Sequence, residues 1–162
     1  MLRAFLLISL FLFGTFSYAA EPEMTAMDGT HTAADFTLPA TDESPFSLSD
    51  YKGKYVLVNF WAHWCGPCVK EFPAMENLYQ ALKQENFEIV AVHAGPAQGR
   101  VKPFLAEHKV SFKVVIDPTM SIHGWDVPAL PVSYLVSPEG KLIYKAIGPR
   151  EWHVDAMRTL IK

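Results

Sequence analysis

The sequence predicts a single α/β sandwich built on a mixed sheet, and three observations carry that expectation. The chain has 162 residues, 50% of them hydrophobic, which suits one core of ordinary domain size. From Tyr55 onward, short β-branched and aromatic runs alternate with segments of helical periodicity, the order expected of packed sheet and helix layers. The chain then closes with two strand-like runs about a Gly-containing turn and a last helix, which adds an antiparallel arm.

The first segment reads as an address rather than as fold. Arg3 precedes the apolar run Ala4 to Phe16, and the small residues Ser17, Ala19 and Ala20 follow. Residues 1–19 are therefore expected to be an export signal cleaved after Ala19. An uncleaved membrane anchor is the alternative, although the run falls short of the ~20 residues a spanning helix needs. Either way the domain is expected in the periplasm or another extracytoplasmic compartment, where disulfides persist. Residues 20–34 lack apolar periodicity and predict a flexible leader, with order starting near Phe36 and a domain over 35–162.

Within that domain, Asp35 to Pro39 and Pro45 to Leu48 predict two short extended arms around the polar stretch Ala40 to Ser44. Lys52-Gly53-Lys54 breaks the chain, and Tyr55 to Trp61, Tyr-Val-Leu-Val-Asn-Phe-Trp, predicts a central strand covered on both faces. From Cys65, the residues Val69, Phe72, Met75, Leu78 or Tyr79 and Leu82 recur at three-to-four spacing and predict a helix, bent at Pro73. Phe87 to Val92 predicts a second buried strand, Gly95 to Gly99 a loop, and Val101 to His108 a short helix with Pro103 in its first turn. Val110 to Ile116 predicts a strand, Asp117-Pro118 a turn, and Ser121 to Trp125 one helical turn. Pro131 to Val136 and Lys141 to Ala146 predict a hairpin about Ser137-Pro138-Glu139-Gly140. The final helix is expected from Glu151 to Ile161, with Val154, Met157 and Leu160 or Ile161 inward.

Composition narrows the function. Fourteen basic and 17 acidic residues give a formal charge of -3, and loss of Arg3 with the signal makes it one unit more negative. No broad cationic face is implied, so nucleic acid is not an expected partner. The two cysteines can neither staple a disulfide-dense scaffold nor form a four-thiolate zinc site.

Both cysteines fall in Trp64-Cys65-Gly66-Pro67-Cys68, where the central strand gives way to the helix. Placement at a helix N-terminus favours an anion, and a thiol shifted from about 8.5 to about 7 would be roughly half thiolate at neutral pH instead of roughly 3%. Cys68, one turn on, is near enough to close a disulfide, so attack, mixed disulfide and resolution fit one site. A purely structural bridge is the first alternative, but so short a ring stabilises by only about 2 kcal/mol. Metal is the second, yet beside His63 no His-x-x-x-His spacing or second cysteine pair completes a closed site.

The stretch Val56 to Pro73, centred on Asn59-Phe60-Trp61-Ala62-His63-Trp64-Cys65-Gly66-Pro67-Cys68, resembles the thioredoxin superfamily, and most closely its exported TlpA/ResA-like branch. Supporting matches are Asp35-Phe36-Thr37-Leu38-Pro39, Ser47-Leu48-Ser49-Asp50 with Gly53, and Leu130-Pro131-Val132-Ser133-Tyr134-Leu135-Val136. The resemblance implies a thioredoxin-like three-layer sandwich with a central mixed β-sheet and an N-terminal extension. It also implies Cys65 as attacking thiol, Cys68 as resolving thiol, and exchange through the Cys65-Cys68 disulfide with no bound cofactor. Pro131 resembles the family's cis-proline, which lies against the cysteine pair and, with Leu130, Trp64, Gly66 and Pro67, offers the substrate-binding surface. Glu71 resembles the acidic residue that the ResA-like branch keeps near its thiols for proton exchange; the alternative is an exposed charge paired with a lysine. Asn59 stands where cytoplasmic-type thioredoxins have a buried aspartate.

Other residues are less specific. His63 could favour the Cys65 thiolate as imidazolium or be a solvated loop histidine, and His31, His93, His108, His123 and His153 are read as surface or satisfied core. Trp125 and Trp152 are read as core or rim aromatics. Gly and Pro between the cysteines add no cation to the Cys65 thiolate, which predicts a reducing couple. A reductant outside the cytoplasm needs a donor, and the resemblance implies a membrane thiol-disulfide transporter. It likewise implies exported protein disulfides as substrates, including apocytochrome c, by analogy. Soft thiolates also suit Cu(I), so a copper-carrying or client-binding module without turnover is the alternative class. Peroxidase chemistry is disfavoured because Ala62, not Thr, lies three before Cys65.

Overall fold

The computed structural model describes residues 24–97, 99–121 and 124–162, so the expected export signal lies outside the described residues. Among the described residues twelve elements follow one another: β1 (Thr25–Ala26), β2 (Thr37–Pro39), β3 (Pro45–Ser47), a 3-10 turn (Leu48–Tyr51), β4 (Tyr55–Trp61), α1 (Gly66–Leu82), β5 (Phe87–Ala94), α2 (Val101–Glu107), β6 (Lys113–Asp117), β7 (Val132–Val136), β8 (Leu142–Ile147) and α3 (Val154–Leu160). The main sheet runs β1-β8-β7-β4-β5-β6, and β2-β3 form a separate antiparallel hairpin. The strands β4, β5 and β6 are parallel, whereas β7, β8 and β1 add antiparallel. The expected mixed α/β sandwich is therefore the one formed. Among the described residues no helix is long and apolar enough to cross a membrane.

The sheet divides two cores, and β4 explains why. Successive side chains of a strand face opposite sides, so Leu57 and Trp61 meet Phe72, Met75, Leu78 and Leu82 of α1. Val56, Val58 and Phe60 instead meet Phe46, Leu48, Trp125 and Tyr134. Both faces are covered, which is why the run reads as continuously apolar. The helix α1 passes through Pro73 without interruption. That residue sits on the exposed face, where the carbonyl left without its intrahelical donor can reach water.

Several expectations give way locally. The leader is not a loose tether from Met24 on. Met24 is buried in the helix-side core, Thr25 and Ala26 pair with Lys145 and Tyr144 of β8, and Met27 and Ala33 donate backbone N–H groups to Ile143 and Gly140. An open edge of β8 supplies these partners, and edge pairing needs no apolar periodicity in the added segment. The strand expected at Val110 starts at Lys113, because Val110 N bonds to Leu105 O and Ser111 N to Glu76 Oε2. Of the helical turn expected at Ser121 to Trp125, residues 122 and 123 lie outside the described residues; Gly124 has φ +90°, and the Trp125 indole donates to Ala34 O at 3.0 Å. The last helix begins at Val154 rather than Glu151, with His153 extended at its N-cap.

Truncating Met24 tests the docking of the N-terminal segment. Met24→Ala should lower unfolding free energy by about 2 kcal/mol or more, measured by urea denaturation. A change within error would show that the segment does not pack.

Candidate active site

The strand β4 ends at Trp61, and the chain reverses in a turn closed by Cys65 N donating to Ala62 O at 3.0 Å. His63 and Trp64 occupy the centre of this turn. Cys65 then serves as the N-cap of α1: its backbone is extended, and its Sγ accepts from Cys68 N at 3.3 Å. The first four N–H groups of a helix have no intrahelical partner, so a sulfur in this place meets both a donor and the positive end of the dipole. Pro67, in the first turn, has no N–H to leave unsatisfied. Cys65 and Cys68 are joined in a disulfide with Cα atoms 5.3 Å apart.

The two sulfurs are unequal. Cys65 retains 7% exposure and Cys68 only 1%, while the neighbouring Trp64 is 65% exposed. Gly66 and Pro67 are also exposed, and a Cβ placed on Gly66 would meet nothing within 4 Å. Its bareness leaves the approach to Cys65 open rather than solving a packing conflict.

Leu130-Pro131 is a cis peptide bond, as the resemblance leads one to expect. Pro131 O accepts from Gly148 N at 2.9 Å, and the next residue, Val132, pairs with Phe60. This register sets the proline loop beside the end of β4, at the same end of the sheet as the dithiol. One step along, Asn59 Nδ2 donates to Ser133 Oγ at 2.9 Å. Asn59 is fully buried, and its Oδ1 has no partner among the described residues.

Glu71 is 3% exposed, which removes the reading as a solvated helix charge. Its Oε1 accepts from Arg150 N at 2.5 Å, while Oε2 and the buried Trp152 Nε1 both lack an aligned partner among the described residues. Burial pushes the carboxyl up to about 7, against the opposing pull of the Arg150 N–H, the nearby indole of Trp152 and the Arg150 charge. With no aligned hydrogen bond, the indole acts as a nearby dipole. The Arg150 loop was not legible from the sequence as a partner of Glu71. Also missed was His93, which lies against His63 at 2.9 Å; its place at the end of β5, in register with Trp61, was the available signal. Among the described residues no group of three or more His, Cys, Asp or Glu could hold a metal ion.

A central mixed sheet, a CxxC disulfide capping the following helix and a cis-proline loop at the same end define a protein of the thioredoxin-like class. The chain belongs to the AhpC/TSA family, whose model matches residues 30–145, and within it to a branch of thiol-disulfide oxidoreductases. It is 42% identical over 117 residues to the thiol-disulfide oxidoreductase ResA of Bacillus subtilis, a match covering 72% of this chain and 65% of that one. With the Bacillus cereus ResA it shares 38% over 117 residues, covering 72% and 68%. The chain thus spans about two thirds of the length of these relatives. Among solved structures, it resembles a Chlorobium tepidum protein named as a thiol:disulfide interchange protein DsbE, with a TM-score of 0.71 and 34% identity over 82% of this chain and 94% of that one. It also resembles the thioredoxin domain of a Bacteroides vulgatus thiol-disulfide oxidoreductase, with a TM-score of 0.72 and 26% identity over 84% and 99%.

The raised pKa of Glu71 makes a stability prediction. The folded state holds its proton up to about pH 7, and the unfolded chain releases it near the ordinary glutamate value of 4.5. The stabilisation is complete below the lower value and is lost as pH rises through the upper one. Relative to Glu71→Gln, the parent should lose about 3 kcal/mol across that window, measured by denaturant unfolding at a series of pH values; parallel curves would contradict the assignment.

Proposed function

We propose that this chain is an exported thiol-disulfide oxidoreductase that reduces disulfides in extracytoplasmic proteins. The observation that carries the reading is the asymmetry of the pair: Cys65 caps the helix and keeps an exposed edge, and Cys68 is sealed behind it. Reaction begins from the dithiol. The Cys65 thiolate attacks one substrate sulfur, the substrate S–S bond breaks, and a mixed disulfide forms as the first substrate thiolate leaves. The Cys68 thiolate then attacks Cys65 Sγ, the Cys65-Cys68 bond forms, and the second substrate thiolate leaves. Two electrons pass from the dithiol to the substrate.

Glu71, with its carboxyl near neutrality, is suited to take the Cys68 proton as the resolving thiolate forms. Leu130, Pro131, Trp64, Gly66 and Pro67 supply the surface that meets the substrate backbone. No cofactor beyond the disulfide is needed for this exchange. Because each turnover leaves the pair oxidised, a dithiol donor must restore it, and a membrane thiol-disulfide transporter fits an extracytoplasmic site. The ResA-named relatives and the analogy of the branch support haem-attachment cysteines of apocytochrome c as the substrate class. Export rests on the segment Arg3 to Ala20, which leaves either a released or an anchored domain.

Cys65→Ser should lower the rate of insulin disulfide reduction by at least about a hundredfold, since it removes the nucleophile. Cys68→Ser, expressed in the exporting cell, should accumulate mixed disulfides through Cys65, resolved by mass spectrometry. Capture of apocytochromes supports maturation as the role. Capture of many unrelated clients points to general disulfide repair, and no capture with no insulin reduction contradicts the oxidoreductase reading.

A further inference from the structure

The exchange mechanism leaves one buried polar arrangement at the site unused. His93, at the end of β5, has no exposed surface, and its Nε2 lies 2.9 Å from Nδ1 of His63 in the turn that leads into Cys65. The other nitrogen, His93 Nδ1, is 3.1 Å from Gly95 O. The Trp61 and His93 rings pack in a T-shape, with centroids 5.2 Å apart.

Hydrogen-bond chemistry fixes the tautomers. A carbonyl oxygen only accepts, so His93 Nδ1 carries the hydrogen; in neutral His93, Nε2 is then the acceptor, and His63 Nδ1 must donate. Among the described residues His63 Nε2 is left as the ring nitrogen of the two without a partner. A further proton therefore enters at His63 Nε2, where it disturbs neither hydrogen bond. Placed on His93 it would displace the bond from His63 and put charge in the core.

We infer that His63 and His93 act as a pair that tunes Cys65: His93 positions His63 in its Nδ1–H form, and a proton bound at His63 Nε2 charges the turn before Cys65 and favours its thiolate. The inference rests on the oxidoreductase reading and adds a positioning role to it. No bond to carbon changes; the Cys65 S–H proton passes to solvent as the thiolate forms, and His63 exchanges its own proton with solvent.

The surroundings leave the pair to act through its own charge. From β4 the neighbour is Trp61. From β6, Ile116 stands in register with His93, and the adjacent Asp117 lines the cavity with Phe60, Val92 and Trp125 on the other face of the sheet, where it accepts from Thr119. Phe72 of α1 and Phe104 of α2 cover Trp61, with His108 stacked on Phe104 and bonded to Phe104 O. Among the described residues no carboxylate forms an ion pair with either imidazole. Burial and the neighbouring His63 charge hold His93 below the usual imidazole range, consistent with its place as the neutral member.

The test is a thiolate titration by ultraviolet absorbance on the otherwise complete mature chain carrying Cys68→Ser, so that Cys65 is read alone. His63→Asn keeps an amide N–H for His93 but cannot be charged. It should raise the apparent Cys65 pKa by roughly one unit, about a tenfold loss of thiolate near pH 6. His63→Lys, charged throughout, should restore thiolate formation, a rescue that a merely structural role would not give. Nitrogen NMR of the parent should show both rings in the Nδ1–H form, and His93→Gln should redistribute the His63 tautomer. Unchanged titration in His63→Asn with an unaltered unfolding midpoint overturns the inference, as does His63 found as the Nε2–H tautomer. Neither result touches insulin reduction by the wild-type dithiol, whose absence would instead defeat the oxidoreductase reading.

Discussion

A sulfur standing in for an N-cap oxygen is the interaction on which the rest of this structure turns. Cys65 Sγ accepts from Cys68 N at 3.3 Å at the point where β4 hands over to α1. The contact satisfies one of the orphan donors of the helix and places sulfur at the positive end of its dipole. The remainder of the fold holds that contact still. The strand β4 is hydrogen-bonded on both sides and buried on both faces, so its C-terminal end cannot drift. The helix α1 is anchored by Phe72, Met75, Leu78 and Leu82, which fixes the height at which its first turn meets the strand.

Around the dithiol the molecule departs from the ordinary rule that buried polar atoms find partners. Asn59 Oδ1, Trp61 Nε1, Glu71 Oε2 and Trp152 Nε1 lack them among the described residues. Such atoms cost stability, and their gathering around one end of the sheet and the first turns of α1 is the pattern expected where function competes with packing. With a neutral amide at Asn59, the buried acid in the first turns of α1 is Glu71. Its carboxyl is held near neutrality by the burial that a surface residue three positions past Cys68 would escape.

Much of this arrangement was legible in the sequence. Tyr55 to Trp61 emerged with its expected bounds because a strand covered on both sides writes its burial directly into composition. The helix after Cys65 was equally plain from its spacing, and Pro131 was singled out by the residues around it. What escaped was carried by contacts between distant segments. Residues 24–34 contain no apolar rhythm, since they dock by backbone pairing to β8 and by scattered side chains, Met24 in one core and Met27, Ala33 and Ala34 against the other. Glu71 is buried by a loop 79 positions away, and the His63-His93 bond joins positions 30 apart; neither has a local pattern.

The central claim, that the helix terminus makes Cys65 the reactive sulfur and leaves Cys68 as its shielded partner, is tested most directly by competition. The reduced protein would be treated with substoichiometric iodoacetamide at neutral pH and the label on each cysteine quantified by peptide mass spectrometry. The account predicts Cys65 labelled at least about tenfold faster than Cys68. Equal labelling, or preference for Cys68, would contradict it.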